Sequence, residues 1–393
     1  MRRQLPAYSP LSLGALVGGS LAALGGAEAA RRVERGLRDR LDARTVVGTD
    51  SGTTALRLAL SAVAGARRLP IALPAYGCYD LATAAIGAGV PVALYDIDPD
   101  TLGPDPDELR ALCAAGVAAI VVAHLFGIPV DMRTVNDVAA TAGIPVIEDA
   151  AQGGGAALDG RRLGAWGSLV VLSFGRGKGT TGGRGGALLA RDDFGVAALS
   201  RLAPLPPPRA GWGDVLRGTA QWIFGRPLLY GWPAAIPWLR LGETVYRSPH
   251  PPGPWSRAAV GMLDHTVRLA DAEEAARRVT GRRLAERLPP SARCGQALVR
   301  GADPGYLRLP ALVRDAEARH GLIGGGRGGR LGVAVAYPRA LPDLGALGDA
   351  MTNPGAPFHG ARLLADRLCT LPTHSRLAAP DILELERWIV HGL

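Results

Sequence analysis

Between residues 50 and 190 apolar runs alternate with helical patterns along the chain. The runs IALP at 71–74, PVALYDI at 91–97, VAAIVVAH at 117–124, IPVIEDA at 144–150 and SLVVLSF at 168–174 are dominated by Val, Ile, Leu and Ala. Interleaved with them stand TTALRLALSAVAGA, YDLATAAIGAG, DPDELRALCAA and MRTVNDVAATAG, whose apolar residues recur at helical spacing. Strands apolar on both faces and joined through helices predict an α/β fold with a mostly parallel sheet covered on both sides. Ligands of such sheets sit beyond the carboxyl ends of the strands, so the polar residues after each run are the first candidates for chemistry.

The texture changes over 204–255, where Pro, Gly and five of the seven tryptophans gather. Residues 256–288 then form one long Arg-rich helical pattern, and the remainder mixes short strands with helices. At 393 residues the chain suits two units: a large domain over 1–250, with the Trp/Pro-rich insert at about 204–255, and a small α+β C-terminal domain over 256–393. Near the start, LSLGALVGGSLAALGG followed by AEAA imitates a secretory signal. Gly14, Gly18 and Gly19 dilute that run, and ARRVERGLRDRLDA continues as an Arg/Leu-patterned helix into the first polar motif, which favours a cytoplasmic mature start.

Composition adds three constraints. Hydrophobic residues at 48% and charged residues at 20% are a globular balance. The net charge of +9 favours anionic partners, yet the arginines are spread out and not interleaved with aromatics, which argues against nucleic acid. Cys78, Cys113, Cys294 and Cys369 form no CxxC and the seven histidines no HxxxH, so no metal site or structural disulfide is expected. One further count changes the picture more: of 44 basic residues only Lys178 is a lysine. Guanidinium stays protonated, whereas a desolvated amine can lose its proton and act as a nucleophile.

Three stretches carry candidate chemistry. SGTTAL at 51–56 is a polar turn entering a helix, where Gly52, Thr53 and Thr54 offer N–H groups and hydroxyls to a phosphate, or simply cap the helix. IEDAAQGGGA at 147–156 puts Asp149 and Gln152 just past a buried strand, where a carboxylate suits a protonated ring nitrogen and a carboxamide a ring hydroxyl; loop ordering by the Asp is the plainer role. SFGRGKGTTGGRGGAL at 173–188 supplies the Ser173 hydroxyl, the Lys178 amine and glycines that let backbone approach a ligand. Gly177, Gly179 and Gly182 match a dinucleotide fingerprint in spacing but lead into a strand instead of a helix. Phosphate at the first stretch, ring nitrogen on Asp149, ring edge on Gln152 and aldehyde on Lys178 together describe pyridoxal 5′-phosphate.

These motifs, with LPAY, GVPVALYDIDPDTLGPD, VVAHLFGIPVDM and LCTLPTHSRLAAPDI, resemble the DegT/DnrJ/EryC1/StrS family of sugar aminotransferases. The resemblance is close over about 45–195, loose over 256–393 and absent in the Trp/Pro-rich segment. It implies a fold type I homodimer with Lys178 as the cofactor-binding lysine, Asp149 on the pyridine nitrogen, Ala151 against the ring and Gln152 near its oxygen. It also implies Thr53, Thr54 and Ser173 around the phosphate. Related dehydratases carry His where this chain has Lys178, which favours amino transfer.

The resemblance has two gaps. An aromatic that stacks on the ring is replaced by Cys78, leaving stacking to Tyr76 or Tyr79, or absent. The Gly-x-Asn-x-Arg element that crosses to the partner's phosphate has no counterpart; YRSPHPPGPW stands there, with Arg247 or His250 as substitutes. The insert reads as a buried lid or dimer arm, or as an interfacial patch over 213–241 using Trp222, Trp232 and Trp238 beside Arg226 and Arg240. Its uncharged run from Pro227 to Leu239 is shorter than the roughly 20 residues of a membrane span. The expected function is amino transfer from an amino acid, glutamate first, to a keto group of a nucleotide-linked sugar or cyclitol. A dehydratase or aromatising enzyme of the same family and a non-catalytic, membrane-associated binding protein are the alternatives.

Overall fold

The computed structural model describes residues 2–25, 27–64, 68–236, 238, 244–323 and 326–393. Helices α1 (Leu13–Leu24) and α2 (Glu28–Leu41) lead into β1 (Thr45–Thr49) and α3 (Gly52–Val63). The alternating core follows: β2 (Ile71–Pro74), α4 (Asp80–Ala88), β3 (Val92–Tyr95), α5 (Pro106–Ala115), β4 (Ile120–Ala123), α6 (Met132–Ala142) and β5 (Val146–Asp149). After the short strands β6 (Ala157–Leu158) and β7 (Arg161–Arg162) come β8 (Leu169–Ser173), β9 (Gly186–Ala190) and α7 (Asp193–Leu199). The Trp/Pro-rich segment forms α8 (Trp212–Phe224) and α9 (Pro227–Ala234). Helices α10 (Arg257–Thr266) and α11 (Ala270–Ala285) precede β10 (Ala302–Asp303), β11 (Leu309–Leu312), α12 (Ala316–Ile323), α13 (Arg327–Arg330) and β12 (Ala334–Val335). The chain closes with α14 (His359–Arg367), β13 (Leu368–Leu371) and α15 (Ala379–Gly392).

Seven strands form the main sheet in the order β1-β9-β8-β5-β4-β2-β3. The five predicted apolar runs are its parallel strands, and β2, β4 and β8 are buried from Leu73 to Val170 as continuous hydrophobic runs require. Chain order reverses beside β2, which pairs with β3 on one side and β4 on the other. This switch opens a crevice at the strand carboxyl ends. β9, between β8 and the edge strand β1, is the one strand that runs antiparallel to the rest, so β1 is again parallel to β8. β1 escapes the pattern because Gly48 interrupts TVVGT; any side chain there would occupy the place of the Trp255 indole.

The predicted single helix over 256–288 is two helices, separated by a 3₁₀ turn at Val267–Leu269. α10 stays with the main sheet and packs against α1 and α2, while α11 turns away toward α15. The N-terminal glycines are the contact surface: a Cβ on Gly18 would strike the His265 ring, and one on Gly261 would lie 2.8 Å from the Gly18 carbonyl. A second, antiparallel sheet β11-β13-β12 carries the C-terminal part. No helix among the described residues is long and apolar enough to cross a membrane.

Candidate active site

Four of the parallel strands end on one side of the sheet, and the loops that follow bring the predicted residues together. Ser51 caps α3, its Oγ accepting the Thr54 N–H at 3.1 Å, so the first turn of the helix faces the end of β8. A Cβ at Gly52 would lie 2.8 Å from Ser173 Cβ, so glycine is what lets the helix start and the Ser173 hydroxyl share one cradle. Thr54 points differently from the expectation: its hydroxyl gives its proton to Asp50 at 2.6 Å, and it steadies the turn.

Asp149 ends β5. Its carboxylate takes one protein hydrogen bond, from the Ala151 N–H at 3.0 Å. Burial raises its pKa against the opposing pull of that bond and of the Lys178 charge. Lys178 is half-buried in the loop after β8, where its charge also bears on Cys78. The N-terminal segment clamps this loop: Ser9 Oγ accepts the Gly177 N–H at 3.0 Å and donates to the Lys178 carbonyl at 2.7 Å. Gly154 and Gly179 meet with a prospective Cβ only 3.0 Å from backbone, so the two glycine-rich loops seat directly on each other.

Gln152 is held at both ends. Its Oε1 accepts the Phe126 N–H at 3.3 Å and its Nε2 donates to Tyr337 Oη at 2.8 Å. Phe126 reaches it in a left-handed conformation, φ 57°, just before Gly127, where a side chain would collide with the Leu307 amide. Tyr76 is wholly buried edge-on to Tyr337 at 5.6 Å, and Tyr79 lies 6.4 Å from the same ring. Both tyrosines therefore pack into a protein cluster with Tyr337 and Phe126.

Beneath Asp149 lies a brace that periodicity hides. Glu148 points to the other face of β5, is fully buried, and accepts N–H groups of Gly164 at 2.6 Å, Trp166 at 2.7 Å and Gly167 at 2.9 Å. His124 Nε2 completes the set at 3.0 Å, while His124 Nδ1 accepts the Val130 N–H, which fixes Nε2 as the protonated nitrogen. Burial works to raise the Glu148 pKa, but these donors outweigh it and hold the carboxyl below its ordinary value. The backbone N–H of His124 donates to the Asp149 carbonyl at 3.1 Å.

Neither Glu148, Tyr337 nor the Phe126 turn stood out in the sequence. A lone acidic residue inside an otherwise apolar strand was the available signal for the first. Of the proposed phosphate substitutes, His250 Nδ1 lies 3.8 Å from Asp50 Oδ2 beside the α3 start, and the Arg247 carbonyl accepts from Thr83. In the insert, Trp222 is half-buried under the Arg226 guanidinium at 4.3 Å, whereas Trp212, Trp232 and Trp238 are exposed. Arg240 lies outside the described residues. A cleft of about 640 Å³ between Asp100, Arg282, Glu286 and Arg293 contains none of the candidate residues.

The sheet order, the second small sheet and the loops at the strand ends define an α/β protein of the fold type I class of pyridoxal phosphate-dependent transferases. Residues 16–203, just under half of the chain, match the model of the DegT/DnrJ/EryC1/StrS aminotransferase family. The sugar aminotransferase CalS13 from Micromonospora echinospora superposes with a TM-score of 0.74 at 22% identity, covering 98% of this chain and 99% of that one. The 3-amino-5-hydroxybenzoic acid synthase structure does so with a TM-score of 0.72 at 20% identity, covering 100% and 99%. Among curated relatives, the L-glutamine:2-deoxy-scyllo-inosose aminotransferase of Streptomyces kanamyceticus is 35% identical over 174 residues, 44% of this chain and 41% of that protein. The GDP-perosamine synthase of Caulobacter vibrioides is 32% identical over 186 residues, 47% of this chain and 50% of that protein. The matched stretch thus spans half or less of these relatives' length.

Proposed function

We propose that the protein is a pyridoxal phosphate-dependent aminotransferase that moves an amino group from an amino acid, glutamate first, to a keto group of a nucleotide-linked sugar or cyclitol. The observation that carries this reading is the sole lysine set in the loop after β8, where its charge bears on the half-buried Asp149, together with the cradle of Gly52 and Ser173. The site fits the cofactor on its own terms. A half-buried carboxylate with a single N–H partner among the described residues has room for a cation of the kind a protonated pyridine supplies, and the Gly52–Ser173 cradle leaves room that a side chain would fill. When bound, pyridoxal phosphate supplies a carbonyl that exchanges with amino groups and a ring that accepts an electron pair.

The chain's own groups do the rest. The N–H groups of Gly52 and Thr53 at the start of α3 and the Ser173 hydroxyl take phosphate oxygens, where the helix dipole favours negative charge. Asp149 would accept a hydrogen bond from the ring nitrogen and keep it protonated, and Ala151 would adjoin the ring. Gln152, fixed by Phe126 and Tyr337, presents the remaining Nε2 hydrogen at the ring's edge. Lys178 Nζ, the one side-chain amine of the chain, would hold the cofactor and, when free, would be the base that takes up and returns a proton at its Nζ.

The exposed stripe Leu13, Val17, Leu21 and Leu24 on α1, beside Trp212 and Leu216 of α8, supports a homodimer through this face. The division into a large unit over 1–250 and a small unit over 256–393 is part of the same proposal, supported by a second sheet lying wholly within 309–371. The test is keto-sugar-dependent formation of 2-oxoglutarate from glutamate by the purified protein. Product formed from the keto-sugar with no consumption of an amino donor selects the dehydratase reading, and the absence of bound pyridoxal phosphate selects a non-catalytic role.

A further inference from the structure

Helix α9, Pro227–Ala234, carries no charged residue, and none of its residues is buried. Leu228 is 70% exposed and Trp232 72%, and their four-residue spacing puts both on one face of the helix. Trp238, 80% exposed, follows shortly after the helix ends. The opposite face is rooted in the protein. Tyr230, two residues from each and so about 200° around the helix, is half-buried among the charges of Arg3, Arg176 and Arg308. The Pro227 carbonyl accepts the Arg3 N–H at 2.9 Å, and Arg226, at the N-cap, lies over the Trp222 ring. An anchored helix thus holds large apolar side chains out from the chain, an arrangement that water does not favour and a partner surface does.

The charge around this face selects the partner. Between Phe194 and Gly242 the chain has five arginines and a single carboxylate, Asp214. That carboxylate is buried and already engaged, accepting from the Ser256 hydroxyl at 2.6 Å and pairing with Arg217 at 2.6 Å. We propose that α9 and Trp238 dock the protein on an anionic lipid surface, with the indoles at headgroup depth and the neighbouring arginines on lipid phosphates. A second copy of the chain fits less well. A two-fold interface would set this face against itself and bring two arginine fringes together, with no carboxylate of the stretch free to pair them. At about 12 Å in length the helix lies in the interface and does not span it. Tyr230 ties the docking helix to Arg176, two residues before Lys178, so docking turns the active-site loop toward the lipid.

The experiment measures co-sedimentation of the full-length protein with vesicles of phosphatidylcholine and phosphatidylglycerol in equal parts, and with vesicles of phosphatidylcholine alone. Wild type is expected to bind the anionic vesicles and to bind the neutral ones at least about tenfold more weakly, with binding falling as salt rises from about 0.1 M to about 0.5 M. The double variant W232S/W238S should lose about tenfold or more in partition onto the anionic vesicles, with unchanged melting because both indoles are exposed. L228E, which puts a carboxylate on the same face, should lose as much and carries the comparison if the double variant does not fold. Absence of wild-type binding, equal binding to both vesicle types, or undiminished binding by the variants overturns the proposal. Self-association of wild type that W232S/W238S abolishes, with vesicle binding unchanged, gives the face to a second copy and overturns it as well. Binding is read without turnover, so its failure leaves the aminotransferase reading intact, and a colourless protein that binds anionic vesicles through these residues upholds the docking face.

Discussion

Replacing Glu148 by Ala tests how the site is held. Three backbone N–H groups, of Gly164, Trp166 and Gly167, end on this carboxylate within 2.9 Å, and His124 adds a fourth donor at 3.0 Å. An orphaned buried donor costs about 1–3 kcal/mol, so losing four of them sets a lower bound near 4 kcal/mol, from which relief of the carboxylate's own burial subtracts. A net loss of about 3–5 kcal/mol is expected, read as a fall in the urea midpoint at constant slope. The pH sign follows from the same geometry. The folded pKa is depressed, so Glu148 contributes stability above its ordinary carboxyl range and loses that contribution as pH falls through the folded value. E148A should therefore lie closest to wild type in acid and farthest at neutral pH. A loss under about 1 kcal/mol at pH 7, or a gap that widens on acidification, refutes the account of the brace.

Other predictions concern single contacts. His374 is buried with Nε2 on the Leu5 carbonyl, and burial together with nearby Arg277 and Arg376 leaves its pKa at about 4, so it folds neutral. Its contribution of about 3 kcal/mol is present above pH 6.5 and lost as pH falls toward 4; H374N should flatten that part of an acid-unfolding profile. G52A pushes a methyl against Ser173 at 2.8 Å and should both lower the stability of the cofactor-free protein by about 1–3 kcal/mol and weaken pyridoxal phosphate binding about tenfold by equilibrium dialysis. D149N should keep the Lys178 label but slow conversion by glutamate at least 100-fold in stopped-flow absorbance, since the ring loses the anion that keeps it protonated. S9A releases the clamp on the Lys178 loop and should cost about 1 kcal/mol in cofactor affinity.

Much of this architecture was legible because burial on both faces writes itself into composition. The five parallel strands, their order of chemistry and the three polar stretches beyond them are all continuous in sequence. What stayed hidden depends on residues distant in the chain. Tyr337 comes from the C-terminal part, whose short strands carry no periodic signal, and it matters only because the fold brings it to Gln152 beside the Phe126 turn. The split of 256–288 was invisible because the 3₁₀ turn at Val267–Leu269 uses residues that continue a helix equally well. Gly48 concealed β1, and only the packed Trp255 ring explains why a strand accepts it.

The central claim is that Lys178 carries the cofactor. Borohydride reduction of the purified yellow protein, followed by peptide mass mapping, measures this directly. A pyridoxyl mass on the peptide containing Lys178, absent from K178R, is the predicted result. A cofactor retained by the protein but fixed elsewhere, or not fixed at all, would contradict it.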